Sequence, residues 1–223
     1  MQIIKVKTYE ELSDRAAAII ARQIKEKPDC VLGLATGSTP IGTYKRLVNA
    51  DFSCVKTFNL DEYCGLSPND PQSYQYFMRE NLFNHVNIDM KNTNFPSEKN
   101  FAKYDDQIKH AGGIDLQLLG IGSNGHIGFN EPDVVFHNKT RVVELAESTI
   151  QANKRFFENA DQVPKTAISM GIGTIMSARK VLLIAAADKT NIIKELQADI
   201  VTPKLPASIL HYHPDCTIIH VKE

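Results

Sequence analysis

The 223 residues are 43% hydrophobic, enough to bury a full core, and read as one domain over 1–223. With 25 Lys and Arg against 26 Asp and Glu the formal charge is −1, which excludes a global basic field for nucleic acid or an anionic membrane; an anion has to be held by a local site. Cys30, Cys54, Cys64 and Cys216 form no CxxC pair, favouring free thiols in a reducing compartment over a disulfide frame or a zinc knuckle.

In chain order, Ile3, Ile4 and Val6 suggest a first strand. Thr8-x-x-Glu11 is a capping-box pattern before Leu12, Ala16, Ile19, Ile20 and Ile24 at helical spacing, and Pro28 closes that helix. The apolar run at 31–35 is followed by TGSTP and an amphipathic stretch through Leu47. Further strands are expected at 55–60, 115–120, 140–145, 166–170, 181–187 and 216–221, with helical patterns between most of them. Asp70 and Pro71 fit the N-cap and first residue of a helix through Phe83. Leu205–Leu210 reads as a short helix over the core, and Met170 and Met176 as packing residues.

This alternation predicts a single doubly wound, Rossmann-like α/β domain: a largely parallel open sheet with helices on both faces. The N-terminus has no export-type apolar stretch, and the longest apolar run, Val181 to Ala187, is too short to span a bilayer. A soluble cytoplasmic protein is expected. Ligands of open parallel sheets bind beyond the carboxyl ends of the strands, so TGSTP, the DEY loop, GIGSNGHIGFNEP and the Asp188-Lys189 loop should share one edge.

Each loop admits a chemical reading and a plain one. In TGSTP, Gly37, Ser38 and Thr39, with Pro40 opening a helix, suit a phosphate; the plain reading is a capped helix start with Thr39 as N-cap. No GK[ST] follows, which argues against a nucleotide P-loop. Asp61 and Glu62 place at least one partly desolvated carboxylate in the crevice as a candidate general base; alternatively the pair caps the next element or is simply solvated. GIGSNGHIGFNEP contains GxGxxG, but Gly128 and Pro132 deny it the helix that a dinucleotide loop requires. The remaining choice is a tight loop presenting Asn124, His126, Asn130 and Glu131, with His126 as proton shuttle, or a histidine merely bonded within a loop. His211, His213 and His220 do not complete a metal-ligand spacing, and Pro214 interrupts them. No metal is expected.

Taken together and in this order, LGLATGSTP, FNLDEYCGL, LLGIGSNGHIGFNEP, NKRFF and AISMGIGTIMSA closely resemble the glucosamine-6-phosphate deaminase family in its short form, over nearly the whole chain. The resemblance implies an isomerising deamination of a sugar phosphate without a cofactor. It makes Asp61 the base at C2, His126 the mover of the ring-opening proton and Glu131 its orienting carboxylate. Asn124 stands where the family often has Asp and is left with hydrogen bonding. Gly37, Ser38 and Thr39 resemble the phosphate loop, with Arg155 and Lys189 as its cationic contacts. A 6-phosphogluconolactonase-like hydrolase and a non-catalytic sugar-phosphate sensor are the alternatives; Glu131 and the DEY segment favour the deaminase, and no DNA-binding segment is expected before the fold. The short C-terminus, compared with longer members of the family, leads us to expect a monomer or small homo-oligomer with hyperbolic kinetics.

Overall fold

The computed structural model describes residues 1–146, 150–151 and 163–222. Its first helix, α1 (Tyr9–Glu26), starts where the sequence predicts: Thr8 Oγ1 accepts from the Glu11 amide, and Glu11 Oε2 accepts from the Lys7 amide. A cap of this kind contributes about 1 kcal/mol. The helix buries Leu12, Ala16, Ala17, Ile20 and Ile24, one stripe at 3.6-residue spacing that lies on the sheet.

Seven strands, β1 (Gln2–Val6), β2 (Val31–Leu34), β3 (Lys56–Asn59), β5 (Thr93–Asn94), β6 (Leu116–Leu119), β9 (Lys180–Ala185) and β10 (Cys216–Val221), form a sheet in the order β1-β10-β9-β6-β2-β3-β5. Every pairing in it is parallel. Both faces are covered, and β9 shows how. Val181, Leu183 and Ala185 join one core cluster with Tyr104 and Ile108 of α4 (Phe101–His110). Leu182 and Ile184 join the other, with α1 and Met78 of α3 (Tyr74–Asn81). Each fully buried Leu or Ile here contributes ~1.5–3 kcal/mol, which is why the strand is an uninterrupted apolar run.

A second sheet departs from expectation. DEY, anticipated as a loop, is itself a strand, β4 (Asp61–Tyr63), and it pairs antiparallel with β8 (Thr166–Ser169), which pairs antiparallel with β7 (Arg141–Glu144). The chain passes between sheets at Leu60, whose amide donates to Leu34 O while its carbonyl accepts from Met170 N. The small sheet thus stands on the carboxyl edge of the large one.

Local boundaries also shift. Ser73, not Asp70, caps α3: its Oγ accepts from the Tyr76 amide, while Asp70 closes a turn by accepting from Gln72 N. Ser67, Pro68, Asn69, Asp70 and Pro71 hold so many turn formers that the helix starts only beyond them. The helix after TGSTP, α2 (Ile41–Lys45), is a single turn with Pro40 at the N-cap position, and Thr39 does not cap it. The segment near the C-terminus is a 3-10 helix over Pro206–Tyr212. Met170 is fully buried and Met176 packs against the same cluster, as packing residues should.

Candidate active site

Since all seven strands run parallel, the loops after β2, β3, β6 and β9 emerge together. The order of the sheet changes direction between β2 and β6, where a crevice opens in such folds. The loops carrying Gly37 and His126 flank that point.

Asp61 and Glu62 divide their roles because successive strand residues face opposite sides. Glu62 turns toward α3 and accepts from the amides of Tyr63, Tyr74 and Gln75, each at 2.9 Å. Burial pushes its carboxyl up and these three N–H groups pull it partly back. It anchors the helix. Asp61 is 7% exposed and accepts no hydrogen bond from any described residue. Burial first, and the neighbouring Glu62 second, push its pKa up to about 8. With no donor among the described residues, the carboxyl keeps its proton near neutral pH and ionises only where a neighbouring positive charge favours it.

The loop after β6 is built around one imidazole. Gly122 N donates to His126 O at 2.9 Å, closing a tight turn. A Cβ at Gly122 would lie 2.2–2.4 Å from the His126 ring atoms Cε1, Nδ1 and Nε2, so the glycine is what lets the ring lie flat on the backbone. His126 Nδ1 is 3.3 Å from Glu131 Oε2. The same Oε2 accepts from Asn124 Nδ2 at 2.6 Å, and Asn124 Oδ1 accepts from the His126 amide at 3.2 Å. Asn124 thus bonds both the Glu131 carboxylate and the His126 amide, and that carboxylate faces His126 Nδ1, a buried ring nitrogen with no hydrogen-bond partner among the described residues. Both side chains of the His126–Glu131 pair remain partly open to solvent.

We expect Gly122→Ala to fold, since the obstructing group is a movable ring, and to lose about 10- to 100-fold in turnover through displacement of the imidazole. Unfolding temperature and kcat measured on the same preparation check this; wild-type kcat would contradict it.

The TGSTP loop is pinned from α1 by Tyr9, a residue with no signal of its own in the sequence. Tyr9 Oη accepts from Gly42 N at 2.8 Å, and its hydroxyl proton faces Thr39 O at 3.0 Å and Ser38 O at 3.2 Å. Gly37 lies in the left-handed region at φ 102°. Because α2 is only one turn long, a ligand here would be held by loop amides and hydroxyls rather than by a long helix dipole. Lys189 comes after β9 and pairs with Asp188 at 2.9 Å. The helix Thr190–Leu196 behind it reaches the His126 loop, since a Cβ at Gly125 would lie 3.4 Å from Ile192 Cδ1. Arg155 lies outside the described residues.

Ser169, Arg141 and the structural part played by Asn130 are likewise visible only in three dimensions. The aromatic cluster of Tyr63, Tyr74 and Phe129, with centroids 4.8–6.2 Å apart, walls the side of the site next to β4. A Tyr-Tyr-Phe set scattered over 66 positions carries no local signal. Two of the three histidines set aside as metal ligands bind the backbone: His211 contacts Leu196 O and also the Asp199 carboxylate, and His213 contacts Ala178 O and accepts from Asp215 N.

Known proteins share the sequence and the fold. The profile of the family described as "Glucosamine-6-phosphate isomerases/6-phosphogluconolactonase" matches residues 5–219. A glucosamine-6-phosphate deaminase of Thermoanaerobacter pseudethanolicus is 55% identical, covering 100% of this chain and 93% of that protein. One from Lachnoclostridium phytofermentans is also 55% identical, covering 98% of each. A solved structure described as a monomeric glucosamine-6-phosphate deaminase superposes with a TM-score of 0.97 at 44% identity, over 100% of this chain and 98% of that one. The 6-phosphogluconolactonase of Thermotoga maritima shares the fold, with a TM-score of 0.79 at 21% identity over 100% of this chain and 99% of that one. The chain belongs to the glucosamine-6-phosphate isomerase and 6-phosphogluconolactonase family.

Proposed function

We propose that the protein is a glucosamine-6-phosphate deaminase, converting glucosamine 6-phosphate and water to fructose 6-phosphate and ammonia. The observation that carries this over lactone hydrolysis is Asp61, a buried carboxyl with no donor among the described residues, together with a separate His126–Glu131 pair. Hydrolysing an ester needs one activated water. Isomerising an amino sugar needs one group to open the ring and another to move a carbon-bound proton.

His126, oriented by Glu131, moves the proton from the C1 hydroxyl to the ring oxygen, releasing the open-chain aldehyde. Asn124 contributes hydrogen bonds to this step and no charge. Asp61 then takes the C2 proton; the C–H electron pair becomes the C1=C2 bond, the carbonyl π pair moves onto O1, and O1 takes a proton from the neighbouring ammonium, which gives a neutral enolamine. Returning the proton to C1 leaves a C2 iminium, to which water adds; ammonia leaves and the ketone remains. No electrons are exchanged with a cofactor. The substrate's ammonium, entering next to Asp61, favours the ionised carboxylate and offsets the burial that holds its proton in the empty site.

Gly37, Ser38 and Thr39 supply loop donors to the phosphate, with Lys189 and Arg155 as its fixed positive charges. A dianion in a crevice gains most from charge-assisted bonds of this kind. Lys189→Ala removes one contact worth about 1.5–3 kcal/mol, so KM should rise roughly 10- to 100-fold with little change in kcat. An unchanged KM would remove Lys189 from the phosphate site.

The 44%-identical relative described as monomeric supports a monomer over a small homo-oligomer. No helix among the described residues is long and apolar enough to cross a membrane, and we place the enzyme in the cytoplasm with its sugar-phosphate substrate. The reading is tested by offering the purified protein glucosamine 6-phosphate and 6-phosphogluconolactone in parallel. Consumption of the first alone is expected; consumption of the lactone alone would favour the hydrolase.

A further inference from the structure

The antiparallel sheet places three residues of different chemistry in one row. Asp61 pairs with Ser169, and Ser169 pairs with Arg141. Residues directly opposite across neighbouring strands share a face and lie within side-chain reach of one another. The row runs from the candidate C2 base to a half-buried guanidinium.

Each of the two residues beyond Asp61 holds the His126 loop. Ser169 is fully buried; its Oγ accepts from the Phe129 amide at 3.0 Å and donates to Met170 O at 3.2 Å. Arg141 Nη1 donates to Asn130 Oδ1 at 2.9 Å. The Asn130 carboxamide, 3% exposed, is held by this bond and by its own donation to Ile127 O at 2.9 Å and Met170 O at 2.8 Å. Between them lies Gly128 at φ 57°, where a Cβ would stand 3.0 Å from Ser169 Oγ and 3.7 Å from Asp61 Oδ2. The segment 128–130 thus lies along the row, with His126 at one end and Glu131 at the other.

Arg141 is a costly residue to spend on one amide oxygen. Burial holds its guanidinium below its usual range, and the nearby Asp133 restores this only through space. No described carboxylate forms a salt bridge with it among the ion pairs of the structure. A neutral donor would suffice for stability. A rigid, planar, always-charged fork fixes the direction of Asn130 more tightly.

We infer that Ser169 and Arg141, acting through Asn130, are positioning residues that set the His126–Glu131 pair in register with Asp61, so that a sugar opened by one is presented to the other. The inference rests on the deaminase reading for its chemistry but not for its geometry. A displacement of about 1 Å in such an arrangement costs up to ~10²-fold in rate.

The test uses Ser169→Ala, Arg141→Met and Arg141→Lys in the full chain, each checked by thermal unfolding. Turnover of glucosamine 6-phosphate is measured together with the ring ¹⁵N signals of His126, assigned by comparison with His126→Gln. For Ser169→Ala and Arg141→Met we expect kcat to fall roughly 10- to 100-fold with KM within about threefold, and the His126 ring signals to move. Arg141→Lys recovers part of both. Should Arg141→Met fail to fold, Ser169→Ala and Arg141→Lys carry the test. Wild-type kcat and unmoved ring signals in the folded variants would overturn the inference, leaving only a structural role. If the wild type does not turn over but the ring signals still move, the deaminase reading fails and the positioning stands.

Discussion

Asp61→Asn should abolish isomerisation while leaving the protein able to bind a sugar phosphate. The carboxamide keeps the shape of a side chain that is 7% exposed and accepts no hydrogen bond from a described residue, but it cannot take a proton from carbon. A positioned acid–base group contributes roughly 10²–10⁴-fold, and the loss should appear equally in deamination and in exchange of the carbon-bound hydrogen with solvent. The same change should make the protein more stable in alkali. The folded-state pKa is about 8 against an ordinary value of 3.8, so across that window the folded state binds a proton that the unfolded chain has released. Stability therefore falls as pH rises from near 4 to near 8 and stays reduced above it. The amide removes that penalty. Melting curves at pH 5 and pH 9 should show the variant gaining on the wild type as pH rises; a gain confined to pH 5 would contradict the buried, protonated carboxylate.

His126→Gln is the second large effect, and it separates ring opening from the later chemistry at carbon. Turnover of glucosamine 6-phosphate should fall about 10²–10³-fold, because Gln offers a hydrogen bond but no proton shuttle. Affinity for an open-chain alditol analogue of the substrate, which has no ring to open, should be unchanged. Glu131→Gln should change turnover in the same direction with a smaller loss, since the ring then keeps a polar neighbour of the same shape but loses the carboxylate that orients it. Equal weakening of both ligands would make His126 a binding residue and not a shuttle.

How much of the molecule was legible in its sequence depends on the range over which each signal acts. The parallel sheet was legible because strands buried on both faces are continuous apolar runs, as Val181–Ala185 is. The edge shared by the four loops came from strand order alone. The second sheet was not legible, since β4 spans only Asp61–Tyr63, too short to show an alternating pattern. The division of labour between Asp61 and Glu62 needed the pairing register and a helix beginning 12 residues later, at Tyr74. Tyr9 reaches a loop about 30 positions away, and Ser169 and Arg141 meet the His126 loop only through pairing of β7 and β8. The motif that looked like a dinucleotide fingerprint was settled by close packing: Gly122 is needed by an imidazole, and the helix that would have received a pyrophosphate is not formed by residues 125–131.

A buried carboxylate and a separate histidine pair acting in sequence on one amino sugar is the central claim. The most direct measurement tracks glucosamine 6-phosphate in deuterium oxide with wild-type protein and Asp61→Asn side by side, quantifying ammonia, fructose 6-phosphate and deuterium at C1 of the ketose. The wild type should give ammonia and ketose in equal amounts, with solvent deuterium entering C1, and Asp61→Asn should give neither product above roughly a hundredth of that rate. Ammonia without ketose, or wild-type rates and labelling from Asp61→Asn, would contradict it.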